Sequence, residues 1–197
     1  MTDTLIIDSG GANLASLQYA FARLGVATEV SAAPKAIAAA RRVLLPGVGS
    51  AAAAMERLRA AGLAELLPRL SQPVLGICLG MQLLFEHSAE GDVECLGILP
   101  QRVRRLQPSP SRPVPHMGWN RLEETRTDPL LEGLTSGPYF YFVHGYVAPV
   151  GPFTLGAVEY GESFSAVVRR GNFWGVQFHP ERSAAAGARV LANFLSL

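Results

Sequence analysis

Short apolar segments alternate with segments of helical periodicity through the first half of the sequence, and this alternation restricts the fold more than any other feature. The predicted strands cover residues 5–8, 28–31, 42–45 and 73–77. The predicted helices cover residues 14–24 and 34–40, an Ala-rich segment after Ser50, and residues 79–85, with Asn13 as the N-cap of the first. Strands joined by helices pair in parallel and are covered on both faces. The sequence therefore predicts a three-layer α/β/α fold with a central, mostly parallel sheet.

The second half of the sequence has a different character and predicts an added antiparallel part. Residues 107–115 hold four prolines and are predicted to be extended or irregular. Further strands are predicted at residues 139–143, and at residues 164–169 and 173–178, which form a hairpin. Ser183 is predicted to cap a final helix. We expect one domain spanning residues 1–197.

Composition excludes several classes of protein. The chain of 197 residues is 49% hydrophobic and 17% charged, with a formal net charge of +1. It is too apolar to be disordered and lacks the basic excess of a nucleic-acid-binding protein. Its two cysteines form neither a disulfide framework nor a zinc-site spacing. No secretory signal or apolar run of the ~20 residues needed to span a bilayer is visible. We expect a soluble cytoplasmic protein with no metal or cofactor.

The segment Gly76-Ile-Cys78-Leu-Gly80 lies between a predicted strand and a predicted helix. It has the pattern of a nucleophile elbow, Gly-x-Ser-x-Gly, with cysteine in place of serine. The backbone N–H groups at a helix N-terminus favour a thiolate, and the amide of Leu79 would face a developing oxyanion. Cys78 is therefore the candidate nucleophile. Cys95 has no such setting and is interpreted as a packing or surface residue.

A thiolate nucleophile needs a base, and the base needs an acceptor that orients it. His179 precedes a proline, which holds it in an extended conformation. Residues two apart in an extended segment point the same way, so Glu181 can reach the His179 ring. The sequence predicts a triad of Cys78, His179 and Glu181.

The other three histidines are interpreted differently. His87 is predicted to be a solvated helix residue. His116 and His144 lie in aromatic surroundings, and they either line a site or satisfy backbone groups.

The segment Pro46-Gly47-Val48-Gly49 follows another predicted strand and is a candidate source of a second oxyanion donor. An ordinary strand-to-helix turn is the alternative. The segment lacks the Gly-x-x-x-x-Gly-Lys pattern of a phosphate-binding loop.

These segments, together with Met81-Gln82 after the elbow and His179-Pro-Glu181, resemble the class I, triad-type glutamine amidotransferases in order and spacing. The resemblance covers nearly the whole chain and implies their flavodoxin-like fold. It also implies a glutaminase. In such an enzyme Cys78 attacks the side-chain amide of L-glutamine, His179 protonates the departing ammonia, and water hydrolyses the γ-glutamyl thioester.

The resemblance carries further roles onto individual residues. It implies that the amides of Val48 and Leu79 hold the oxyanion. The residues that it implies for binding glutamine are Gly47, Gly49, Gln82, Glu90, Gly145 and Tyr146.

Residues 115–120 and 139–146 are similar to one branch of this family, the glutaminase subunits of imidazole glycerol phosphate synthase in histidine biosynthesis. That similarity implies a heterodimer with a separate (β/α)8 barrel cyclase subunit. The barrel subunit uses the ammonia to make imidazole glycerol phosphate and aminoimidazole carboxamide ribotide. The similarity implies that Asp92, Trp119 and Tyr141 lie toward that partner.

The chain departs from the family in residues 8–13, which keep only part of the usual turn, and in Gly145, where Ser or Thr is usual.

Three alternatives remain at the level of sequence. They are the glutaminase of another class I amidotransferase, a stand-alone cysteine hydrolase or peptidase, and a catalytically silent binding module. The intact triad argues against the last of these. We also expect little glutaminase activity from the isolated chain, because Gly47 and Gly49 leave the oxyanion turn free to change conformation.

Overall fold

The computed structural model describes residues 3–9, 14–124 and 126–197. Its helices are α1 (Leu14–Arg23), α2 (Pro34–Ala39), α3 (Ala51–Ala60), α4 (Leu63–Leu66), α5 (Leu79–Leu83) and α6 (Ala184–Leu195). Its first strands are β1 (Thr4–Ile7), β2 (Glu29–Ser31), β3 (Arg42–Gly47), β4 (Val74–Cys78), β5 (Phe85–Ser88), β6 (Val93–Glu94) and β7 (Leu99–Arg105). The later strands are β8 (His116–Arg121), β9 (Glu123–Glu124), β10 (Tyr139–His144), β11 (Tyr146–Pro149), β12 (Thr154–Glu159), β13 (Ser163–Arg170) and β14 (Phe173–Val176).

Five strands in the order β2-β1-β3-β4-β14 pair in parallel and form the centre of the main sheet. Cys78 of β4 is in register with Gly47 of β3, and Ile77 of β4 is in register with Val176 of β14. The carboxyl ends of β3, β4 and β14 therefore lie side by side, where an open parallel sheet binds its ligands. Beyond β14 the sheet continues through antiparallel pairs to β13, β11 and β7, and ends with β5, which pairs in parallel with β7, and β6. This arrangement confirms the predicted fold class.

The hydrophobic core has two parts, one on each face of the parallel strands. In β1, Leu5 and Ile7 pack with residues of α2 and α3, whereas Ile6 packs with residues of α1 and α6. This alternation follows from the two-residue period of a strand and gives the three predicted layers. Within the described residues, no helix has the length and apolarity to cross a membrane.

Strands β8 and β10 form a separate antiparallel sheet. Phe140 and Phe142 of β10 point into the core and are fully buried. On the opposite face, Met117 is 64%, Trp119 53% and Tyr139 58% exposed. The aromatic segment that was predicted as a strand therefore has one face in the core, and its other face is part of an exposed apolar surface.

Several local predictions are wrong. The helix after the elbow ends at Leu83 rather than at residue 85, because Phe85 begins β5, which pairs with β7 and β6. For the same reason His87 lies on a strand, only 5% exposed, instead of on a solvated helix. Strand β14 ends at Val176, two residues earlier than predicted.

Ser183 lies just before α6, as predicted, but its hydroxyl does not cap that helix. The hydroxyl donates to the carbonyl of His179 at 2.7 Å and accepts from the amide of Tyr141 at 3.0 Å. It therefore ties the end of β14 to β10. The predicted cap Asn13 and residues 10–12 of the altered segment 8–13 lie outside the described residues.

Candidate active site

Cys78 lies at the junction of β4 and α5, with a backbone φ of 54° and ψ of −111°. A non-glycine residue at positive φ is strained, and strain of this kind is typical of functional sites. The strand and the helix meet so closely that a Cβ atom on Gly76 would lie 2.7 Å from the carbonyl oxygen of Gly80. These are the features of a nucleophile elbow, and the close approach explains the glycine at position 76.

The imidazole of His179 hydrogen-bonds to Glu181, with 3.0 Å between Nδ1 and Oε1. Because a carboxylate only accepts, Nδ1 carries the hydrogen and Nε2 is left for Cys78. Burial lowers the pKa of His179, but hydrogen bonds to Cys78 and Glu181 and the negative charge of both outweigh it and raise the pKa to about 10. The ring is therefore held as an imidazolium beside the sulfur.

The backbone around His179 is fixed by neighbouring strands. The amide of His179 donates to the carbonyl of Tyr141 at 2.9 Å. The residue is extended, with φ −97° and ψ 97°, and Pro180 follows it. The predicted contact between His179 and Glu181 is present, but the predicted reason for it is wrong: only His179 is extended, and Glu181 lies in a 3-10 turn, Pro180–Arg182, which brings its carboxylate back to the ring.

A cavity of about 320 Å³ opens above Cys78 and contains almost all of the sequence-predicted site. Of the residues assigned to nucleophile, base, oxyanion turn or glutamine binding, those that line it are Gly47, Val48, Gly49, Cys78, Leu79, Gln82, Glu90, Gly145, Tyr146 and His179. Glu181 lies behind His179, outside the lining. Residues that the sequence analysis took from separate segments of the chain therefore line one cavity.

Gln82 and Glu90 reach the cavity from different elements. Gln82 of α5 donates through Nε2 to the carbonyl of Tyr146 and to Gln177 Oε1, both at 2.9 Å. Glu90 Oε2 accepts from the amide of Ala51, the first residue of α3, at 2.9 Å. Burial raises the pKa of Glu90, and the Ala51 amide acts in the opposite direction. Glu90 is therefore a helix-capping residue as well as a cavity residue.

His144 and His116 form a buried pair next to the cavity. His144 Nδ1 donates to the carbonyl of Tyr146 at 2.9 Å, so its Nε2 accepts from His116 Nδ1 at 3.1 Å. Burial lowers the pKa of His116 to about 4. Burial, with the charges of His116 and His179, lowers that of His144 to about 3. Both rings are neutral at physiological pH. His144 lines the cavity and also satisfies a backbone carbonyl, so both of the roles considered for it in the sequence analysis apply.

Three predicted residues lie away from the cavity. Asp92 is exposed and accepts a hydrogen bond from His87 Nε2 at 2.8 Å. Trp119 and Tyr141 contact each other edge to face, with ring centroids 6.0 Å apart, on the exposed side of the β8–β10 sheet.

Sequence reasoning missed Gln177, which is fully buried and lies 3.8 Å from Cys78 Sγ through its Nε2 atom. The available signal was a polar residue in the apolar run before His179, two positions away and hence on the same side of an extended chain.

The family model for Glutamine amidotransferase class-I matches residues 5–197 of the chain. The chain belongs to that family. Solved structures with low sequence identity share its fold. One is a glutamine amidotransferase, with a TM-score of 0.76, 20% identity, and coverage of 98% of this chain and 97% of that chain. Another is the glutaminase domain of Trypanosoma brucei CTPS with bound acivicin, with a TM-score of 0.69, 15% identity, and coverage of 100% and 94%.

Curated relatives narrow the class-I family to one branch. The imidazole glycerol phosphate synthase subunit HisH of Xylella fastidiosa (strain Temecula1) is 55% identical over 197 residues, which is 100% of this chain and 98% of that protein. HisH of Xanthomonas campestris pv. campestris (strain 8004) is 56% identical with the same coverage. The predicted resemblance is confirmed, and the chain is a glutamine amidotransferase of the HisH branch, a glutaminase of histidine biosynthesis.

Proposed function

We propose that the chain hydrolyses L-glutamine through a γ-glutamyl thioester on Cys78 and passes the ammonia to a separate (β/α)8 barrel cyclase subunit. The observation that carries this proposal is the strained Cys78 at the floor of the cavity, with His179 and Glu181 beside it. A thiolate, a cation that donates a proton and a carboxylate that orients it are the parts that acyl transfer from an amide requires.

The reaction starts when Cys78 Sγ attacks the side-chain carbonyl carbon of glutamine. As the carbon–nitrogen bond breaks, the His179 imidazolium gives its Nε2 proton to the nitrogen, which leaves as ammonia. The neutral imidazole then takes a proton from water while the water oxygen attacks the thioester carbonyl. Glutamate leaves, and the thiolate and the imidazolium are restored. Glu181 holds the ring in the tautomer that both proton transfers need.

Two backbone amides are assigned to the oxyanion. Leu79 is the first residue of α5, and the first amides of a helix have no partner within it. Val48 lines the same cavity from the turn after β3, next to Gly49 with its φ of +84°. Losing one such donor typically costs about 10²-fold to 10³-fold in kcat. Gly49 adopts this positive φ readily because it has no Cβ atom. The same freedom would let the turn change conformation when a partner binds.

The cavity wall supplies the contacts for the rest of glutamine. We assign Gln82, Glu90, Gly47 and Gly49 to holding glutamine, and the backbone of Gly145 and Tyr146 to its carboxylate end. Gly145 offers backbone only, so the hydroxyl contact that Ser or Thr would supply is absent at that position.

The partner is assigned to the exposed face of the β8–β10 sheet. An apolar surface formed by Met117, Trp119 and Tyr139, each more than half exposed, is typical of a protein interface. Tyr141 on the same face joins this surface to the site, because its carbonyl accepts from the amide of His179. Docking on this face therefore acts on the strand that holds the catalytic base. Asp92 is assigned to the same partner by the family resemblance.

The test measures glutamate released from L-glutamine by the chain alone, by the chain with a (β/α)8 barrel cyclase subunit, and by that complex with its phosphoribulosyl formimino carboxamide ribonucleotide. We expect little turnover by the chain alone, much faster turnover by the full complex, and none by Cys78→Ala. Cleavage of peptides without hydrolysis of glutamine would identify a cysteine peptidase instead. Equal turnover with and without the barrel subunit would contradict the proposed partner.

A further inference from the structure

We propose that Gln177 is a positioning residue for glutamine hydrolysis, which donates a hydrogen bond to the Cys78 sulfur and sets the orientation of the Gln82 amide. The proposal rests on the glutaminase function above and adds to it a residue outside the triad. Gln177 is fully buried and follows β14, where its amide still bonds to the carbonyl of Ala166 at 2.8 Å. This bond fixes the backbone from which the side chain extends, and the side chain lies on the buried side of the nucleophile.

The first contact is with the sulfur. Gln177 Nε2 lies 3.8 Å from Cys78 Sγ, within the range of a hydrogen bond to sulfur. On another side the sulfur lies 3.7 Å from the carbonyl oxygen of Val143, to which a thiol can donate but which repels a thiolate. A neutral amide donor offsets that repulsion without adding a charge. Hydrogen bonds to an ionised group are roughly twice as strong as those between neutral groups, so this contact favours the thiolate.

The second contact fixes the amide of Gln82. A primary amide has two hydrogens, and Nε2 of Gln82 gives one to Gln177 Oε1 and the other to the carbonyl of Tyr146. Among the described residues, Gln82 Oε1 is left without a hydrogen-bond partner, in a side chain that lines the cavity. It is an acceptor available to an N–H group of bound glutamine. With Gln177 replaced by an apolar residue, nothing would prevent the Gln82 amide from rotating.

The Tyr146 carbonyl is held on its other side by His144. Neutral His144 donates to it through Nδ1, and His116 donates to His144 Nε2. Asn120 Nδ2 lies 3.4 Å from His116 Nε2 and donates to it. The donors on the histidine side all point toward the Tyr146 carbonyl, and Gln82 donates to the same carbonyl from the other side and to Gln177. Gln177 is the member of this hydrogen-bonded set that also reaches the sulfur.

Two substitutions separate the two contacts. Gln177→Glu keeps the shape and the acceptor for Gln82, but it replaces the donor to sulfur with a negative charge. Gln177→Met keeps similar volume and removes both contacts. Gln72→Met is the control, because Gln72 is a partly buried glutamine that donates to a backbone carbonyl, that of Ile37, away from the site.

The readouts are the rate of Cys78 alkylation by iodoacetamide from pH 5 to 10, and kcat and KM for glutamine in the full complex with barrel subunit plus ribonucleotide. For Gln177→Glu we expect alkylation at pH 7 to be about tenfold slower, its pH profile to move upward, and KM to change little. For Gln177→Met we expect a several-fold rise in KM in addition to a loss of kcat. Gln72→Met should match the wild type in both readouts.

The inference is overturned if both Gln177 variants keep the wild-type alkylation profile and the wild-type KM. It is also overturned if their only change is a lower melting temperature. If the wild-type complex does not hydrolyse glutamine, the proposed function fails, whereas the alkylation profile still reports on the Gln177 contact with sulfur. The two failures are therefore distinguishable.

Discussion

Gly80 and Leu45 approach so closely that a Cβ atom on Gly80 would lie 1.7 Å from the carbonyl oxygen of Leu45. The obstacle is backbone of the central strand β3, which cannot rotate away as a side chain could. This contact sets how deeply α5 lies against the sheet, and hence where the elbow places Cys78.

Gly80→Ala is expected to destabilise the protein by about 3 kcal/mol or more, which is a fall of roughly 6–12 °C in melting temperature for a chain of this size. Gly145→Ala is the matched control, because its Cβ would meet only a side-chain carbon of Val114 at 3.5 Å. Thermal unfolding of the two variants checks this. A Gly80→Ala protein that melts like Gly145→Ala would show that the elbow is not tightly packed.

The two cysteines are expected to differ in reactivity. Burial raises the pKa of Cys95 to about 11, so only about one molecule in ten thousand carries its thiolate at pH 7. Cys78 has an imidazolium beside it. Iodoacetamide at pH 7 should therefore modify Cys78 at least tenfold faster than Cys95, as read by peptide mass mapping, and His179→Asn should remove most of the difference. Equal rates for both cysteines in the wild type would contradict the paired thiolate.

Glu181→Gln is expected to move the alkaline loss of activity to lower pH. The carboxylate helps to raise the pKa of His179 to about 10, and the general acid is lost once the ring deprotonates. Removing an adjacent opposite charge lowers such a pKa by about one to three units. The pH dependence of kcat in the full complex tests this, with Glu162→Gln as control, since Glu162 pairs with Arg104 at the surface. An alkaline limb at the same pH in all three proteins would rule out this role.

Acid is expected to destabilise the fold through His116 and His144. Their pKa values are lowered from 6.5 to about 4 and about 3, so the unfolded chain binds more protons than the folded one in between. Stability therefore rises with pH from about 4 to 6.5 and is lost as the pH falls through that range. Each displaced unit corresponds to about 1.4 kcal/mol, so the loss is several kcal/mol. Urea unfolding at pH 4.5 and 6.5 measures it, and NMR signals of the two rings should not titrate above pH 5.

Trp119→Ala is expected to reduce the affinity for the barrel cyclase at least tenfold, because exposed tryptophans often dominate interfaces. The Cys78 alkylation rate of the isolated chain should stay unchanged. Val150→Ala is the control, since Val150 is 47% exposed but lies outside the β8–β10 sheet. Calorimetric titration of the barrel cyclase with the wild type, Trp119→Ala and Val150→Ala measures the three affinities. Equal affinities would remove this face from the proposed interface.

The sequence predicted the triad and the parallel sheet because each depends on patterns a few residues long. Cys78 is marked by two glycines and the strand-to-helix change, and His179 by its proline and Glu181. His87 was assigned to the wrong environment because β5 forms only by pairing with β7, which no local pattern encodes. Gln177 was missed for a similar reason, since its partners Cys78 and Gln82 come from a distant part of the chain.

Strand β14 lies near the end of the sequence but in the middle of the sheet, between β4 and β13. A chain emerging from the ribosome therefore carries its thiol long before the strand that delivers the imidazole has been made. Until that strand inserts, β4 has an open edge and the cysteine has no basic partner. The insertion of β14 into the centre of the sheet therefore both closes the edge of β4 and brings the basic partner to the cysteine.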